Sequence, residues 1–207
     1  HCPYALVDFN GQLIAGGEFT YIDGVKCNAA ARWDGSGWVR LADGVAGGKD
    51  ATRIRALAVY KGEVIAGGNF TTAGGVSARN VARWNGKSWS PLGQGFNGQV
   101  HALAVCKGEL VAGGTFTASG ATTLNGIARW DGTAWAPLGS GVSGTWSPGV
   151  YCLTVFGGDL YAGGLFIKAG GETVNHVARW DGVDWHSLAG GMAGSGYPDV
   201  PVAALAV

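Results

Sequence analysis

The stretch LYAGGLFIKAGGETVNHVARWDGVDWHSL, Leu160 to Leu188, decides the fold. It holds an Ala-Gly-Gly, then an Ala-Arg-Trp-Asp-Gly, then a second Trp five residues after the first. The same order occurs three times upstream. Ala-Gly-Gly starts at Ala15, Ala66, Ala112 and Ala162, and Ala-Arg-Trp ends at Trp33, Trp84, Trp130 and Trp180. Both series step by 51, 46 and 50 residues. The second Trp falls at Trp38, Trp89, Trp135 and Trp185, so eight of the nine tryptophans are repeat positions. Self-similarity at such a period marks stacked supersecondary units, none of which buries its apolar face alone.

Each unit reads as four short strands. Strand A is an apolar run such as Ala56 to Val59, and a Gly-containing turn leads to strand B, Val64 to Gly68. Strand C is the Val81 to Trp84 type of run. An Asp-Gly or Asn-Gly step follows (Asp34, Asn85, Asp131, Asp181) and leads to strand D, which carries the second Trp. Asn-Gly and Asp-Gly suit a type I′ hairpin, which needs positive φ at both central residues. No segment shows a helical period. The Gly pair in strand B is expected where a bulky aromatic approaches closely, since Gly otherwise weakens a strand. The expectation is an all-β chain: a β-propeller of four-stranded antiparallel blades over about 4–44, 54–95, 100–141 and 150–191. One extra strand is expected over 200–207, which would make the chain a piece of a larger propeller, a four-bladed ring, or one half of a two-chain assembly.

Order and spacing resemble the kelch-type blade across nearly the whole chain. Trp stands in strand C where Tyr is usual, and Phe-Thr follows the Gly pair at Phe19, Phe70 and Phe116. This variant is similar to Gly-rich repeats of bacterial secreted and fungal cell-surface proteins. The resemblance implies an extracellular or cell-surface structural or interaction module more often than an enzyme, and neither catalysis nor a cofactor is expected here. Copper radical oxidases share the fold, but their Tyr, His and Cys ligands cannot be placed here.

Composition narrows the options. The 207 residues carry no formal net charge, which offers no footprint for nucleic acid. No apolar run is long enough for a membrane span. Thirty-nine glycines with no three-residue period exclude collagen. Cys2, Cys27, Cys106 and Cys152 form no Cys-x-x-Cys pair and read as buried thiols, with a Cys2–Cys27 bridge left open. The four histidines lack ligand spacing, so no metal site is expected.

Candidate binding residues come from where repeats differ. Gly17, Gly68, Gly114 and Gly164 each precede the first Trp by sixteen residues, so the B–C connection keeps its length. All length variation lies in the D–A connection, which is expected on the same face and is where binding resides on a rigid scaffold. Trp146, Tyr197, Arg53 and Arg55 are assigned to those variable connections, where a protein or a glycan would dock; the aromatics suit stacking on a sugar ring. Further blades or a second chain would be the other partners. Arg32, Arg83, Arg129 and Arg179 recur beside the first Trp and are expected to be scaffolding, bonding a loop carbonyl or an Asp between blades. Asn69-Phe70-Thr71 is a glycosylation sequon at a position expected to be exposed.

Overall fold

The structure, a computed structural model, describes residues 2–144, 147–192 and 201–206. The described residues are all-β, without a helix. Two compact units divide the chain, His1–Val100 and His101–Val207.

The first unit holds two four-stranded antiparallel sheets. The first repeat orders its strands A to D as Pro3–Phe9, Gln12–Gly17, Ala30–Trp33 and Trp38–Arg40. The second uses Arg53–Tyr60, Glu63–Asn69, Val81–Trp84 and Trp89–Pro91. The third repeat follows the scheme with Val100–Cys106, whose first residue closes the first unit, Glu109–Gly114, Ile127–Trp130 and Trp135–Pro137, and the fourth with Gly149–Phe156, Asp159–Leu165, Val177–Trp180 and Trp185–Ser187.

The turns correct the sequence reading. Type I′ geometry sits at the A–B connection, where Asn10-Gly11, Lys61-Gly62, Lys107-Gly108 and Gly157-Gly158 all have positive φ. At the C–D connection Trp33 pairs with Trp38, leaving four residues in the loop, and Gly35 has the positive φ while Asp34 does not. The carboxylate of Asp34 accepts the N–H groups of Ser36 (2.9 Å) and Gly37 (3.0 Å), closing an Asx-turn in place of a two-residue hairpin. Asn85, Asp131 and Asp181 repeat it.

The Gly pair is also reassigned. A bulge in strand A falls at Tyr4, Arg55 and Tyr151, between the register pairs that flank each. It pushes strand A backbone over the second Gly: a Cβ on Gly68 would lie 2.0 Å from the Arg53 oxygen, and on Gly164 2.1 Å from that of Gly149. The first Gly receives a β-branched side chain of the following repeat, Ile54 against Gly16 (2.5 Å) and Val150 against Gly113 (2.6 Å). Aromatics lie instead on the glycines of the B–C connection, Trp89 on Gly74 and Trp185 on Gly170.

That connection is no plain loop. It folds into a two-stranded hairpin in each repeat, for example Thr72–Ala73 with Val76–Ser77. The preceding D–A connection adds a strand to it, Val45–Ala46 in the first unit and Val142–Ser143 in the second.

Repeats within a unit share a core. Phe9, Ile14, Leu41 and Val45 pack with Ile54, Val64, Phe70, Trp84 and Trp89. Cys106, Val111, Leu138 and Val142 pack with Val150, Leu160, Phe166 and Trp185. The second Trp also ties repeats together, its indole donating to Leu41 O from Trp89 (3.0 Å) and to Leu138 O from Trp185 (3.1 Å).

The strand expected over 200–207 forms no ladder in its described part, 201–206. It is held by the Val202 N–H donating to Gly164 O (3.3 Å) and the Cys152 thiol donating to Val202 O (3.4 Å).

Candidate functional site

In the fourth repeat, departures from the repeat gather in one groove of about 630 Å³. Its walls include Glu172, Trp180, Asp184, Trp185 and His186. Ladder register fixes the equivalents. His186 lies opposite Arg179, where the other repeats place Val39, Ser90 and Ala136 opposite their Arg. Glu172 pairs with Ala169 at the place of Val25, Val76 and Thr122. Asp184 closes the C–D turn, where Gly37, Ser88 and Ala134 stand elsewhere. Two carboxylates and an imidazole thus replace apolar, hydroxyl or small side chains at three positions.

The groove is built on scaffold pairs. Trp180 and Trp185 meet with centroids 5.4 Å apart at 53°. Trp185 is buried, while Trp180 is half-buried and open to the groove. His186 Nε2 lies 2.6 Å from Asp181 Oδ2. The Asp181 carboxyl is held well below the ordinary carboxylate range, first by the Asp184 and Val183 N–H groups and then by His186. Arg179 donates to Asp159 at 2.8 Å. Glu172 and Asp184 are exposed and have no ion pair among the described residues, so the groove offers two uncompensated carboxylates beside an indole.

The predicted residues fare differently. Trp146 and Tyr197 lie outside the described residues. Arg53 and Arg55 belong to strand A of the second repeat, not to a variable loop, because that strand starts earlier than its apolar run suggests. Arg53 Nε stands 3.6 Å from Glu18, whose carboxylate accepts the Tyr4 hydroxyl (3.0 Å), and the Arg55 guanidinium lies over the Tyr4 ring. The Glu18 bond pushes the Tyr4 phenol up from its usual range. Tyr4 and Arg55 are both bulge residues, so the bulge aims them at one another.

Asn69 is buried, not exposed: its amide nitrogen donates to Ala51 O at 2.9 Å. A glycan would require that bond to open. The recurrent arginines bond within their own sheet, since strand B begins with an acid directly in reach. Arg83 meets Glu63 (3.5 Å), Arg129 meets Glu109 (2.8 Å) and Arg179 meets Asp159, while in the first repeat Arg32 faces a strand that begins with the uncharged Gln12. Trp33, Trp84, Trp130 and Trp180 each pair with the second Trp of their repeat.

Sequence reading missed an asparagine clamp. Asn28, Asn125 and Asn175 have positive φ and donate to Asp43, Ser140 and Gly190 oxygens, pinning the D–A connection. Its signal was present: each stands five residues before the first Trp. Asn80, one place later, does the same to Phe96 O.

Comparison by sequence finds no matching protein-family model and no matching curated protein. Solved structures do match. One is the extracellular domain of a hybrid two-component system of B. thetaiotaomicron, with a TM-score of 0.53 at 14% identity. The match covers 86% of this chain and 20% of that one, so this chain spans a fifth of its length. At that identity the likeness concerns the fold alone.

Proposed function

We propose that the chain is a run of kelch-like β-propeller blades that acts outside the cell as a non-catalytic binding module. The observation that carries this reading is the fourth-repeat groove. Scaffold positions recur from repeat to repeat, whereas Glu172, Asp184 and His186 depart from the pattern and open together beside Trp180. Function placed on a rigid repeat scaffold is expected in such departures. The extracellular setting draws support from the neighbour, which is itself an extracellular domain.

A saccharide is the second reading, and Trp180 is what favours it. A half-buried indole beside hydrogen-bonding carboxylates is what a sugar ring needs on its apolar and hydroxyl sides.

The test is a glycan array and a library of extracellular proteins probed with the chain. Glu172→Gln with Asp184→Asn is expected to weaken the ligand found by tenfold or more at unchanged melting temperature. Full binding by that double variant would remove the groove from the assignment.

A further inference from the structure

The fourth repeat presents an apolar groove of about 310 Å³ lined by Phe156, Tyr161, Leu188, Met192 and Leu205. Phe156 and Met192 are 60% and 50% exposed. Position by position this is a face that is covered elsewhere in the fold. Phe9, Ile14, Leu41 and Val45 are its counterparts in the first repeat, and all four are buried against the second repeat. The counterparts in the third repeat, Cys106, Val111, Leu138 and Val142, are buried against the fourth.

One strand of the missing cover is already in place. Val202 lies against Gly163 as Ile54 lies against Gly16 and Val150 against Gly113. The sequence continues the match: Ala204-Leu205-Ala206-Val207 repeats Ala56-Leu57-Ala58-Val59 and Ala102-Leu103-Ala104-Val105. Yet 201–206 pairs with no strand, whereas Ala56 to Val59 pair with Val64 to Gly67.

We infer that residues 202–206 are strand A of a further blade seated on the fourth repeat, and that the surface accepts strands B to D of a repeat of this same kind. The occupant is defined by chemistry. Its innermost strand reads aliphatic-x-Ala-Gly-Gly and pairs with 202–206. Its second Gly is required because the backbone at Pro201 and Val202 takes the place that Arg53 O and Ile54 Cα take over Gly68. Its side chains then close over Phe156 and Met192.

The test adds to the 207-residue chain a synthetic peptide spanning residues 61–98 of the same sequence, the B to D strands that complement Ala56-Leu57-Ala58-Val59. The expected result is a melting temperature that rises with peptide concentration, with slowed hydrogen exchange at residues 203–206. Phe156→Lys is expected to abolish both effects, and because that side chain is exposed the variant stays folded. A Gly68→Ala peptide should bind at least tenfold more weakly. No shift and no protection would overturn the inference. So would equal binding by the Gly68→Ala peptide, which would reduce the surface to a general apolar patch. Light scattering that shows the chain already dimeric through Phe156, with the peptide excluded, would overturn the stated occupant in favour of a second copy.

Discussion

The indole Nε1 of Trp89 donates to the main-chain oxygen of Leu41 at 3.0 Å, from the last strand of the second repeat to the end of the first. Both residues are buried. One bond therefore ties two repeats at a point no sheet ladder reaches. Trp89→Phe keeps an aromatic ring but removes this donor, leaving the Leu41 oxygen with the Gly44 N–H alone (3.0 Å), which costs about 1 kcal/mol. Urea unfolding is expected to show that loss, and a variant within about 0.5 kcal/mol of the parent would refute the coupling.

A methyl group on Gly113 would stand 2.6 Å from Val150 Cγ1. Gly113→Ala is expected to cost about 1–3 kcal/mol through overpacking. Val150→Ala alone should also destabilise, by a cavity. The double variant should lose less than the two single losses added together, because the smaller side chain makes room for the new methyl. Strict additivity in a double-mutant cycle would mean the two positions do not touch.

The turn aspartates predict a pH response. Asp34, Asp131 and Asp181 are held below the ordinary carboxylate range chiefly by backbone N–H groups. A carboxyl depressed in the fold contributes stability that is complete above its unfolded pKa, near about 4, and lost as pH falls through the folded value. Asn85 makes the same turn without a charge, its oxygen accepting Lys87 and Ser88 N–H groups at 2.9 Å. Replacing all three by Asn should therefore keep the fold and flatten the fall of melting temperature between pH 4 and pH 2. Parallel acid limbs in parent and variant would count against it.

Thiol chemistry should divide three to one. Cys2 is exposed, and Cys27, Cys106 and Cys152 are free and buried. Burial pushes the Cys27 and Cys106 thiols up and that of Cys152 to about 11. A colorimetric thiol reagent is expected to modify one cysteine quickly in the native chain and the other three only in denaturant. Two or more fast thiols would contradict the burial.

The four-stranded sheets were legible because apolar runs and eight tryptophans recur in the same order four times. The hairpin inside each B–C connection was not, since strands of two residues, such as Tyr21–Ile22, leave no period to read. The Gly pair was misread for a related reason. A bulge at Arg55 shifts register by one residue without altering residue type, so sequence shows the glycines and not the backbone crossing them. The fourth-repeat groove carried a readable signal that loop lengths concealed. His186 departs from Val39, Ser90 and Ala136 at one ladder position, while the surrounding spacing never changes.

The strand A bulge separates two demands that most strands must meet together. Tyr4, Arg55 and Tyr151 are each withdrawn from the register pairs on either side, and none belongs to the buried core of its repeat. Such a residue can change its chemistry while the neighbouring Ala5, Ala56 or Cys152 keeps its partner. His101 occupies the corresponding place in the third repeat. A phenol, a guanidinium and an imidazole already stand at this one position. The architecture therefore frees one side chain per repeat from its ladder, and neighbouring repeats use it to meet, Arg55 over the Tyr4 ring and His101 edge-on to Tyr151 at 5.0 Å.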